Sequence, residues 1–302
     1  MSRMSAGWGV VLLTILLLPA PALFAAEGVI AERATVQKLA GGFSFTEGPA
    51  SDAAGNVFFT DQPNDRIMKW SVDDKLTTFL CPSGRSNGLC FDRKGNLWAC
   101  ADERNEIWRI NSQGKAEPVV KGYQGKLLNG PNDLWVRPDG GVYWTDPFYK
   151  RSYWERGPME QDTMGVYFLS PDGKKTTRVA GDLVQPNGII GTPDGRTLYV
   201  ADIQAKKTYA YDIQPDGALA NRRLFCDMGS DGMTLDDEGN VYLTGKGVTV
   251  FDKKGRQTGQ IPVDERQTAN VCFGGRDGHT LFITATKGLY AIRTRTKGVG
   301  SQ

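Results

Sequence analysis

A single histidine, His279, stands in a chain of 302 residues. One imidazole cannot supply a multi-histidine zinc site, and it cannot also serve a triad and a His dyad. The chain has no G-x-G-x-x-G and no G-x-x-x-x-G-K-[ST], so the glycine-rich loops that cradle phosphates are missing. The G-x-S-x-G nucleophile elbow is missing too. The five cysteines, Cys81, Cys90, Cys100, Cys226 and Cys272, form no C-x-x-C pair, which removes zinc ribbons and thioredoxin-type chemistry. Their odd number leaves at least one thiol unpaired. Cys90 and Cys100 flank one hairpin turn, but a bridge between neighbouring strands is strained, and buried apolar thiols are the expectation. No sign of charge dominates, with 36 basic and 34 acidic residues. Nucleic acid is therefore not an expected partner. What chemistry remains rests mostly on oxygen ligands.

Only one stretch is strongly apolar. Residues 1–26, MSRMSAGWGVVLLTILLLPAPALFAA, carry an early arginine, an apolar run from Trp8 to Leu18 and a small Ala25-Ala26 pair. The run is short for a bilayer span, and the order of its parts is that of a secretory signal peptide cut near Ala25 or Ala26, with an uncleaved membrane anchor as the alternative. No cysteine follows it to carry a lipid. Residues 27–302 are then expected as a single domain, periplasmic or secreted, with no membrane span; its oligomeric state is open.

Glycine is abundant, at 37 residues, and it is placed periodically. A polar turn ending in glycine precedes a short apolar strand in DAAGNVFFTD, DRKGNLWACAD, RPDGGVYWTD, TPDGRTLYVAD, DDEGNVYLTG and RDGHTLFITA. The turn glycines Gly55, Gly95, Gly140, Gly195, Gly239 and Gly278 are 40, 45, 55, 44 and 39 residues apart. Further short runs rich in aromatic and β-branched residues lie between them, such as 66–70, 106–110, 165–169 and 208–212, and no long segment has helical period. Several strands in each period of this length are the content of a β-propeller blade. The sequence thus predicts an all-β, six-bladed propeller, with residues 28–39 supplying the outer strand of the last blade. The one long interval contains PFYKRSYWERGPMEQD (147–162), a candidate substrate-covering loop or a cover for a blade edge.

Eight residues before the turn glycines stand Glu47, Asn87, Asn132, Asn187, Asp231 and Asn270. All six are Glu, Asp or Asn. Equivalent positions in a propeller are related by rotation about the channel, so side chains here can ring one point. Carboxylate and amide oxygens are hard ligands suited to a divalent cation. Plain turn formation is the competing account, strongest for Asn87 and Asn270.

The strings TEGP (46–49), GPNDL (130–134), QPNGI (185–189), SDGM (230–233) and CFGG (272–275) resemble those of the gluconolactonase, senescence-marker-protein and luciferin-regenerating-enzyme family of six-bladed propellers, across essentially the whole mature chain. The resemblance implies one divalent cation in the channel, with Ca²⁺ expected and Zn²⁺, Mg²⁺ or Mn²⁺ as alternatives, and hydrolysis of a small lactone or ester. It implies Glu47, Asn187 and Asp231 as metal ligands, Asn132 at the metal or substrate, and Asp231 as acid and base. An arginine that some members place two residues before that asparagine is Gly130 here. Asp146 and Tyr149 are further expected at the substrate. The strand-end acids Asp61, Asp102, Asp146 and Asp202 recur six or seven residues after their glycines; they can tune the site, with a turn or strand contact as the simpler account. Trp154 and Arg156 are expected over the substrate, and His279 at the surface. The alternatives are a non-enzymatic ligand-binding propeller, a phosphotriesterase-like hydrolase on the same metal site, and a strictosidine-synthase-like enzyme.

Overall fold

The structure, a computed structural model, describes Ala26 and residues 28–299. The expected export segment, apart from Ala26, lies outside the described residues. The described chain forms six four-stranded antiparallel sheets. Five are meanders in which neighbouring strands in sequence pair, and the sixth takes its outer strand from the start of the described chain. The expected strands at Arg66–Trp70, Glu106–Ile110 and Gly165–Leu169 have those bounds, and the fourth falls inside Lys207–Ile213. The innermost strands of blades one to six are Thr46–Ser51, Ser86–Phe91, Leu134–Val136, Pro186–Gly191, Met233–Leu235 and Thr268–Gly274. The ring is closed by Gln37–Gly41, which pairs with Gly288–Arg293 of the last blade. The closing strand thus lies later than the 28–39 expected; before it, only an isolated bridge joins Ile30 to Thr294.

The second strand of each blade explains why the blades stack. Val57–Asp61, Leu97–Ala101 and Val142–Asp146 are buried along their whole length. Both faces meet protein, so these strands read as continuous apolar runs rather than as alternation. Between blades two and three, Trp98, Cys100, Trp144 and Tyr167 pack as one cluster, with Trp144 and Tyr167 stacked at 5.5 Å. The outer strand Leu76–Leu80 is largely exposed.

The turn signature has a direct cause. Asp52, Asp92 and Asp236 each accept two backbone N–H bonds from the turn that follows. The six turn glycines have φ between +69° and +95°, a region that side chains disfavour. All five cysteines are free, so Cys90 and Cys100 are not bridged.

Candidate functional site

Four of the six channel positions lie at bulges of the inner strands, while Asn132 and Asp231 stand two residues before their inner strands. Pairing with the second strand slips between Glu47 and Ala50, between Ser86 and Leu89, between Pro186 and Ile189, and between Thr268 and Asn270. A bulge re-aims a side chain, here toward the axis. Threonines of the second strands hold the backbone of the next blade's channel residue. Thr60 donates to the Asn87 carbonyl at 3.1 Å and Thr145 to the Asn187 carbonyl at 2.6 Å. The residue after the channel position is glycine in four blades. A Cβ on Gly48 would stand 2.1 Å from the Asn87 carbonyl oxygen, and one on Gly188 would stand 2.8 Å from that of Asp231. The inner strands approach too closely there for a side chain.

Glu47, Asn87, Asn132, Asn187 and Asn270 are buried, and Asp231 is half-buried at the mouth. Burial holds the Glu47 carboxyl well above the usual carboxylate range, and the charge of Asp231 pushes it further. Burial also raises Asp231, while Asn187, Gln267 and the charge of Arg151 pull it back. Gln267 donates to Asp231 at 3.1 Å. A cleft of about 290 Å³ opens there, lined by Asp231, Lys246, Arg266 and Gln267. Among the described residues the buried Asn187 Oδ1 atom has no hydrogen-bond partner, although its Nδ2 donates to the Tyr149 hydroxyl at 2.8 Å.

Two carboxylates raised by burial and an orphaned amide oxygen are what a hard cation would satisfy. Among the described residues no group of three or more His, Cys, Asp or Glu is placed to hold a metal ion. A cation here would need a mixed carboxylate and amide set, and the residues present fit one. Asn270 is already used: its Nδ2 donates to Asp133 Oδ2 at 3.2 Å and its Oδ1 accepts from the Val271 amide. Burial pushes Asp133 up to about 7. Behind this pair, the rear of the channel holds a separate cavity of about 120 Å³, lined by Leu89, Cys90, Trp135, Ile189, Val271 and Phe273 among others.

The long loop does reach the channel, since Tyr149 touches Asn187. The side-chain hydrogen bonds of Trp154 and Arg156 go to backbone carbonyls. Trp154 Nε1 donates to the Asp102 carbonyl at 3.0 Å, and the Arg156 guanidinium lies between Phe148 and Trp154 while donating to the Leu128 and Asn129 carbonyls. They fasten the loop. Asp146 is fully buried and accepts from the Asn129 and Gly130 amides at 2.8 and 2.9 Å. Both its oxygens accept from backbone amides, so it supports the segment leading to Asn132. Asp61 and Asp202 do the same for the amides of Ser44 and Phe45 and of Val184 and Gln185. Asp102 differs: it accepts from Gln62, Arg151 and Tyr153. Neither this role nor Arg151 itself was predicted, because the loop has no counterpart in other periods. His279 is half-buried in a turn of the last blade.

Comparison with known proteins agrees with the six-bladed fold. The family profile described as SMP-30/Gluconolactonase/LRE-like region matches residues 45–287. A gluconolactonase from Zymomonas mobilis is 31% identical over 293 residues, covering 87% of this chain and 82% of that protein. The solved structure of a gluconolactonase from Xanthomonas campestris superposes with a TM-score of 0.83 at 32% identity, covering 89% of this chain and 93% of the other. A luciferin-regenerating enzyme superposes with a TM-score of 0.75 at 18% identity, over 88% of this chain and 98% of that one, a likeness of fold alone.

Proposed function

Since the chain belongs to the SMP-30/gluconolactonase/LRE-like family, we propose that it is a lactone hydrolase whose activity depends on one divalent cation, Ca²⁺ first among candidates. The observation that carries the metal is the convergence of buried Glu47, half-buried Asp231 and the unpartnered Asn187 Oδ1. The relatives named gluconolactonase and lactonase support the reaction. Glu47, Asn187 and Asp231 would hold the cation, with Asn132 beside it. When bound, such an ion polarises a carbonyl and stabilises the charge that develops on its oxygen.

The chain's own residues do the rest. Asp231 stands at the open mouth, where a carboxylate can take a proton from an attacking water and return it to the leaving alkoxide. Gln267 and Asn187 keep it oriented for that task. Asn132, two residues before the third inner strand, would hold substrate oxygens. The loop brings Tyr149 over the site through Asn187 and narrows the entrance. Hydrolysis of a lactone panel, with a phosphotriester as a control, tests the reaction in Ca²⁺ and in chelator. Turnover that persists after chelation and dialysis defeats the metal-dependent reading. Asp231→Ala is expected to abolish turnover and weaken Ca²⁺ binding in calorimetry, with the fold retained; Asn132→Ala should chiefly impair turnover or substrate affinity.

We also propose that residues 1–26 direct export and are removed, leaving a periplasmic or secreted enzyme. Amino-terminal sequencing of the exported protein checks this; a mature chain beginning near Met1 rejects it.

A further inference from the structure

The strand-end aspartates follow a rule that one of them breaks. Asp61, Asp146 and Asp202 each accept the two backbone amides that lie three and two residues before their blade's channel residue. In blade two the corresponding amides belong to Gly84 and Arg85. There Asp65, from the preceding blade, accepts from the Arg85 amide at 2.6 Å and the Ser83 amide at 2.9 Å. Asp102 is thereby released. It is 2% exposed, and its Oδ2 accepts from Arg151 Nε at 3.0 Å, from Gln62 at 3.2 Å and from the Tyr153 hydroxyl. Gly130 keeps the space clear: a Cβ there would stand 2.8 Å from the Trp154 indole and 2.9 Å from Asp102 Oδ1. A buried carboxylate that is structural elsewhere in the ring has been given to the inserted loop.

What that carboxylate holds is a guanidinium at the channel mouth. Arg151 lies over the ring of Tyr149, 5.2 Å from its centroid, and the Tyr149 hydroxyl is bonded to Asn187. Of its side-chain nitrogens only Nε is hydrogen-bonded among the described residues. The side chain remains 26% exposed. The two terminal nitrogens therefore have no protein acceptor among the described residues, on a planar group fixed by a buried carboxylate on one side and an aromatic face on the other. The charge of Arg151 is close enough to act on both Glu47 and Asp231.

We propose that Arg151 is a substrate-binding, specificity-determining residue, whose free guanidinium edge binds the hydroxyl oxygens of a polyhydroxylated lactone. This rests on the lactone hydrolase reading and names its substrate class. A fixed fork of two donors suits a pair of adjacent oxygens. Neutral hydroxyl oxygens on adjacent ring carbons are acceptors that such a fork can engage as a pair. A lactone without hydroxyls leaves the two donors unmatched, which is how a polar site discriminates.

Binding of inert analogues separates this inference from the reaction itself. The probes are glucono-δ-lactam, which is polyhydroxylated, and δ-valerolactam, the same ring without hydroxyls, titrated calorimetrically into the full-length mature protein in Ca²⁺. Arg151→Gln is expected to weaken the gluconolactam by at least about tenfold, with valerolactam affinity within about twofold of the parent. Arg151→Lys keeps the charge but loses the fork, and a smaller loss on gluconolactam is expected. Tyr153 and Trp154 still tie the loop to Asp102 in both variants, and an unchanged limited-proteolysis pattern within 147–162 verifies it. Equal gluconolactam affinity in parent and Arg151→Gln overturns the inference, as does a parallel loss on both lactams or an undetectable affinity of the parent for gluconolactam. Failure to hydrolyse any lactone, with these binding differences intact, counts against the enzymatic reading alone.

Discussion

The Asn270 side-chain amide donates to the Asp133 carboxylate 3.2 Å away, joining blade six to blade three, its opposite in the ring. The bond crosses the channel and forms a floor between the mouth and the apolar cavity behind. Asp133 Oδ1 is engaged as well, by the Leu134 amide at 2.9 Å. Removing Asn270 leaves a buried carboxylate oxygen unmatched, which costs about 1–3 kcal/mol. Asn270→Ala should therefore lower unfolding free energy by that amount in urea titrations. Asn87→Ala, whose side chain makes no bond to the floor, should cost less. Equal losses for the two would mean that the cross-channel bond contributes nothing.

The glycines behind the channel residues should rank by what a methyl group would strike. A Cβ on Gly48 meets backbone, the Asn87 carbonyl oxygen at 2.1 Å, and Gly48 also has φ +39°. A Cβ on Gly232 meets the end of the Asn270 side chain at 2.0 Å, which can rotate away at the price of its bond to Asp133. Overpacking of this kind costs about 1–3 kcal/mol and more where backbone must move. Gly48→Ala is expected to be the more damaging, measured as the shift in denaturation midpoint. A milder effect for Gly48→Ala than for Gly232→Ala contradicts the close approach of blades one and two.

Much of this was legible because propeller geometry is periodic. One offset from the turn glycines reaches all six channel residues, and one turn pattern marks every second strand. The strand-end acids were equally visible, but their role was not. Whether Asp146 meets a ligand or the amides of Asn129 and Gly130 depends on the path of a loop seventeen residues earlier in the chain, which pattern does not encode. Asp133 occupies a position that is glycine in four blades, and its fit to the family strings marks it as a neighbour of Asn132. Its partner Asn270, 137 residues away, could be named only once the ring was closed. Arg151 left no periodic signal, because it belongs to the insertion that breaks the period.

Asp146 makes stability depend on pH in a defined direction. Burial pushes its carboxyl from 3.8 up to about 7, against the pull of the Asn129 and Gly130 amides. A folded-state value above the unfolded one means that its stability contribution is fully present below pH ~4 and is lost as pH rises through about 7. One such group contributes a slope of at most about 1.4 kcal/mol per pH unit. Asp146→Asn removes the titration while imposing a constant cost from the misplaced amide. Unfolding free energies between pH 4 and 8 should thus fall less steeply for the variant. A slope identical to the parent's would show that Asp146 is ionised throughout.

The most discriminating prediction concerns Glu47 in the presence and absence of Ca²⁺. Without a cation, Glu47 and Asp231 raise each other's cost of ionisation, on top of the burial that already disfavours a charge at Glu47. Glu47→Gln keeps the shape and can still accept the Gly48 amide bond that Glu47 makes at 3.1 Å, while removing one of the two charges. In chelator the variant should therefore be more stable than the parent, by about 1–3 kcal/mol. Excess Ca²⁺ should reverse the order. A ligand at one hundred times its dissociation constant stabilises by about 2.7 kcal/mol; the parent would receive that increment, and the variant, with a weakened site, much less. Thermal melts of both proteins in chelator and in millimolar Ca²⁺ give the four values needed. A parent more stable than Glu47→Gln in chelator would mean that hydrogen bonds, not a cation, satisfy these carboxylates. Melts that do not respond to Ca²⁺ in either protein would remove that ion from the channel, and the same titration with Mg²⁺, Mn²⁺ or Zn²⁺ would then decide whether any divalent cation belongs there.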